Sequence, residues 1–89
     1  MNKCKIRILV EPRKFQGQEK IKTFLKLYGF NFYIYDPVKN LREPEWSDSL
    51  IGENDLYECV YNGNILKSKF FDSILEKKYL FKSVTIELS

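Results

Sequence analysis

The sequence predicts a single α+β domain, on three observations. Apolar residues alternate with polar ones near both chain ends, and they recur at helical spacing in two internal segments. The chain has 89 residues, of which 44% are hydrophobic and 16% aromatic, enough for one core and too few for two. One domain is therefore expected over 1–89.

Lys3 to Val10 alternates cleanly, with Cys4, Ile6, Ile8 and Val10 on one face and Lys3, Lys5 and Arg7 on the other. That is a half-buried strand, ended by Pro12, which cannot donate to a ladder. Arg13 to Gly17 reads as a basic loop with an exposed aromatic, Phe15. Ile21, Phe24, Leu25 and Tyr28 then fall at i, i+3, i+4 and i+7, one apolar stripe of a helix. Gly29 supplies its left-handed C-terminal residue, and Phe30 folds back on the last turn.

Phe30 to Tyr35 is a second strand, with Phe30, Phe32 and Ile34 inward and Tyr33 and Tyr35 outward. Asp36-Pro37 closes it as a turn. The stretch 38–55 has no sustained period and holds Pro44, Gly52 and most of the acids, so it reads as a long acidic connecting loop. Leu56 to Tyr61 is a third strand leading into Asn62-Gly63, a strong hairpin signal that predicts an extra short strand. In that register Cys59 faces Leu66 and Glu58 faces Lys67. Leu66, Phe70, Phe71, Ile74, Leu75 and Leu80 fit a second amphipathic helix capped at Ser68, and Phe81 to Leu88 alternates again, with Val84, Ile86 and Leu88 inward.

Two helices over one face of an antiparallel sheet, in this order, make a ferredoxin-like βαββαβ two-layer sandwich. A thioredoxin-like layout without its redox motif is the alternative, disfavoured because the chain ends in a strand and no C-x-x-C opens the first helix.

Charge is distributed unevenly. Residues 1–42 hold ten Lys/Arg against three Asp/Glu, a net +7, and 43–58 hold six acids and no base. Residues 59–89 add +2, which leaves the whole chain at +3. Such polarity either neutralises itself on folding or steers docking onto a charged partner.

The chain has no His, its two cysteines are far apart, and no phosphate-loop, dinucleotide, zinc-protease or serine-hydrolase motif occurs. These absences argue for a non-enzymatic protein with no catalytic residues, no cofactor and no metal site. Cys4 and Cys59 read as reduced thiols, and Cys59 as a packing residue. No apolar run approaches the roughly 20 residues of a membrane span, and the opening residues do not resemble a signal peptide. The expectation is a cytoplasmic protein that makes no membrane contact. Forty residues are Phe, Tyr, Met, Ile, Asn or Lys and none is Ala, a bias of AT-rich genomes and mobile elements.

Two surfaces are candidate sites. Trp46, the sole tryptophan, stands with Glu43, Glu45 and Asp48 in the acidic loop, where it would anchor a protein partner while the carboxylates steer. Lys5, Arg7, Tyr33 and Tyr35 would share the open sheet face, with Thr85 and Glu58 nearby, and that mix also suits RNA. The third strand nevertheless lacks the RNA-recognition pattern. The leading expectation is an inhibitor or adaptor encoded by a phage or mobile element and acting in the host cytoplasm on a defence or nucleic-acid-handling complex. In size and character it is similar to anti-CRISPR proteins. RNA binding through the sheet is the alternative.

Overall fold

The computed structural model describes residues 3–16, 18–45, 51–65 and 67–88. Strand β1 (Lys3–Val10) alternates strictly, with Cys4, Ile6, Ile8 and Val10 at most 2% exposed. Pro12 starts a single helical turn, α1 (Pro12–Phe15), where its missing N–H costs nothing. This turn corrects the expected basic loop. Phe15 is buried, its ring centroid 5.4 Å from that of Tyr57 and 6.1 Å from that of Phe32.

Helix α2 (Glu19–Leu27) buries Ile21 and Leu25, and its end follows from Gly29. Gly29 adopts φ 92°, its N–H bonds to Lys26 O, and the Phe30 N–H reaches back to Leu25 O. This pair of bonds is the Schellman closure, and it satisfies carbonyls the helix leaves free. Phe30, now buried, leads into β2 (Asn31–Asp36).

The hairpin that forms lies at Asp36–Asn40, not at Asn62-Gly63. Asp36 Oδ1 accepts from the N–H groups of Val38 and Lys39, Asn40 takes a positive φ of 53°, and β3 (Leu41–Pro44) returns alongside β2. Part of the expected connecting loop is therefore an edge strand. At the expected turn, β4 (Leu56–Asn64) runs straight through. Lys5 pairs with Asn62, Cys4 with Gly63 and Lys3 with Asn64, and Gly63 has no positive φ. Continuing the ladder with β1 satisfies those backbone groups better than a two-residue turn would. The expected Glu58–Lys67 and Cys59–Leu66 pairings go with that turn, and Leu66 itself lies outside the described residues.

Helix α3 (Ser68–Glu76) buries Phe70 and Ile74, with Lys67 rather than Ser68 at its cap position and no side-chain cap bond. A 3-10 turn (Lys78–Leu80) leads to β5 (Ser83–Leu88). The five strands form one antiparallel sheet in the order β3-β2-β4-β1-β5. Here β1 and β2 are not neighbours, which removes the thioredoxin-like alternative. Ile21, Leu25, Phe70 and Ile74 join the inward residues of β1, Phe32 and Cys59 in one core, so both helices cover the same face. Among the described residues, no helix covers the opposite face of the sheet, called the open face below. Among the described residues, no helix is long and apolar enough to cross a membrane.

Candidate binding face of the sheet

Directly opposed residues of an antiparallel ladder project to the same side. The registers Arg7–Val60, Lys5–Asn62, Tyr33–Glu58 and Tyr35–Arg42 therefore bring these eight residues onto the open face, with Thr85 beside Arg7. The four residues Lys5, Arg7, Tyr33 and Tyr35 lie together there as the alternation of β1 and β2 dictates.

Glu58 organises the centre of this face. It is 1% exposed, and its carboxylate accepts from Arg7 Nε at 2.5 Å and from Arg42 Nε and Nη2 at 2.7 and 3.2 Å. Burial opposes its ionisation, but the hydrogen bonds from Arg42 and Arg7 outweigh that cost and hold its pKa below the ordinary glutamate value. The same bond raises the pKa of Arg42 further. Both guanidinium carbons lie 5.0 Å from the Tyr35 ring centroid, so the aromatic is packed by two cations that share one anion. The Tyr35 hydroxyl donates to Asn40 Oδ1 at 2.9 Å, which ties the ring to the β2–β3 turn. Lys5, Arg7, Tyr33, Arg42, Glu58 and Val60 line a cleft of about 220 Å³.

Arg42 is the member that sequence reasoning missed. The only signal was Glu58 itself, an acid amid apolar residues on the third strand, which needs cationic partners once buried. Four residues ending in proline were too short a run to separate from a loop.

The acidic loop candidates behave differently from one another. Glu43 is exposed on β3. Glu45 is clamped by Lys22 Nζ at 3.0 Å and Lys26 Nζ at 3.4 Å, and its side chain is only 16% exposed. Burial opposes the Lys22 charge, but the bond to Glu45 outweighs that and raises the lysine pKa. Glu45 therefore fastens the end of β3 to α2. Trp46 and Asp48 lie outside the described residues.

Cys59 is fully buried, and burial pushes its thiol well up, which fits a packing side chain. Among the described residues no three His, Cys, Asp or Glu side chains gather to hold a metal ion. No family model, curated protein or solved structure matches the chain.

Proposed function

We propose that the chain is a non-enzymatic protein-binding module that uses the open face of its sheet. It would act as an inhibitor or adaptor from a phage or other mobile element, directed at a host defence or nucleic-acid-handling complex in the host cytoplasm. The observation that carries this reading is the packing of Tyr35 against Arg7 and Arg42 over buried Glu58. Tyrosine and arginine are the residue types that dominate interface energy, and here their rotamers are held before any partner arrives. Glu58 offsets one of the two arginine charges and fixes both guanidinium groups, and the Tyr35 ring is already engaged by those cations, which suits a protein surface better than stacked bases. Exposed Glu43 projects to the helix side with Ile34, so it would steer from the sheet's edge rather than from this face, and Trp46 with Asp48, which follow β3 in sequence, would extend the contact. The order β5-β1-β4-β2, with α2 after β1 and α3 after β4, supports a ferredoxin-like core extended by β3.

RNA binding is the second reading, favoured by exposed Lys3 and Lys5 beside half-buried Tyr33 on the same face. One experiment separates the two: affinity purification of tagged wild type, Lys5→Glu and Tyr33→Ala/Tyr35→Ala, with proteins and nucleic acid identified in each eluate and a thermal melt of each variant. A discrete protein retained by wild type and lost in both variants, under nuclease, is the expected result. RNA recovered without a protein partner would replace this reading by the second.

A further inference from the structure

The two edges of the sheet are built differently. On β3 the edge is four residues long, ends in Pro44 and carries Arg42 and Glu43, devices that discourage further pairing. On β5 the edge is six residues long with neither Pro nor Gly. Its Val84, Ile86 and Leu88 project to the helix side, as the register with Ile8, Ile6 and Cys4 requires. The sequence predicts them inward, yet Ile86 is 41% and Leu88 69% exposed. Beside them Leu75 and Tyr79 are 51% and 76% exposed. Leu75, Tyr79, Phe81, Val84 and Ile86 line a groove of about 630 Å³ walled by Lys78 and Lys82. An unblunted edge next to a contiguous apolar groove marks a surface that another chain covers.

We propose that a second copy of this chain covers it, through antiparallel pairing of β5 with β5 about a two-fold axis at Thr85. The strand is complementary to itself in that register. Val84 meets the partner's Ile86 on the helix side; Thr85 meets the partner's Thr85 and Ser83 meets the partner's Glu87 on the open side. No acid opposes an acid.

The groove runs along this same edge, so the pairing brings Leu75 and Tyr79, which line it with Val84 and Ile86, to the margin of the interface. An axis perpendicular to the sheet keeps both helix layers on one side and makes a continuous ten-stranded sheet. Both open faces then point the same way, giving a bivalent molecule. The dimer does not depend on the binding role proposed above.

Sedimentation equilibrium should give a mass twice the 10.7 kDa of the chain at micromolar concentration. Ile86→Lys should weaken the dimer by at least about tenfold, since it puts a cation against the partner's Val84. Because Ile86 is already exposed in the monomer, the variant's far-UV circular dichroism spectrum should be retained, and its melt should fall only by the stability the dimer adds. A cysteine at the axis reads the register directly: Thr85→Cys should form an interchain disulfide on mild oxidation, because Cα atoms of a directly opposed pair lie within about 5.5 Å. Ser83→Cys should not, being four strand positions from its symmetry mate, about 13 Å. Native Cys4 and Cys59 are buried and do not compete. A monomeric mass up to millimolar concentration would overturn the proposal and leave the groove to a different polypeptide. Cross-linking through Ser83→Cys instead of Thr85→Cys would overturn it equally.

Discussion

Glu58 is a buried acid between two arginines whose side chains are 31% and 45% exposed. Replacing it with Gln leaves both cations able to recover water, so the loss should be smaller than for breaking a fully buried pair, about 1–3 kcal/mol. The pH dependence carries the sign. A carboxylate whose folded pKa lies below its unfolded value binds fewer protons when folded. Its contribution is complete above the ordinary glutamate value and is lost as pH falls through the folded one. Wild type should therefore lose stability on acidification below about pH 4.5 more steeply than Glu58→Gln, as chemical denaturation at pH 7, 4.5 and 3 will read. Gly29 makes a second residue-scale case. Its φ of 92° disfavours any side chain, while a Cβ there would meet only the Tyr61 ring at an ordinary 3.6 Å. Gly29→Ala should cost about 1 kcal/mol, all of it backbone strain, and Gly29→Asn less. Equal losses for the two variants would place the cost in packing.

At the scale of elements, β4 decides the arrangement. Asn62-Gly63 has the chemistry of a turn, and as a turn it would make Gly63→Val severely damaging. In the observed strand Gly63 is extended and pairs with Cys4, and a Cβ there would meet the Tyr61 hydroxyl at 3.0 Å, so the cost is limited to loosening that hydroxyl's bond to Asn64 O. Valine also favours extended backbone and loses less entropy on folding than glycine. Gly63→Val should therefore change the stability by less than about 1 kcal/mol in either direction, measured by urea unfolding. A loss of about 3 kcal/mol or more would restore the turn. The same contrast separates the sheet's two edges: β3 is fastened by Glu45 to Lys22 and Lys26 of α2, whereas β5 is held on one side only, by β1.

Across the whole molecule, folding brings the two charged halves of the sequence together. Arg7, Lys22, Lys26 and Arg42 all belong to the basic segment 1–42, and their partners Glu45 and Glu58 both belong to the acidic segment 43–58. Both carboxylates are thus held inside the fold, and the four remaining acids of 43–58 temper the basic excess of 1–42. Single-stranded RNA should accordingly bind more weakly than about 10 μM at physiological salt. Fluorescence anisotropy across a salt series checks this. A submicromolar complex that weakens steeply with salt and vanishes in Tyr33→Ala/Tyr35→Ala would make the sheet an RNA platform.

Local pattern alone determined the α+β class, the faces of β1 and β2, both long helices and the Gly29 closure. Each rests on a period or a dihedral preference that acts within a few residues. The same alternation put Lys5, Arg7, Tyr33 and Tyr35 on one side of the sheet. Tertiary structure alone decided the rest. Phe15 is buried because Tyr57 and Phe32, more than fifteen residues away, offer it a pocket. Asn62-Gly63 stays extended because β1 presents unpaired backbone along its whole length, a competitor that no local window contains. Arg42 and Glu58 find each other across two strands, because a buried carboxylate must recruit cations from wherever the sheet's register brings them.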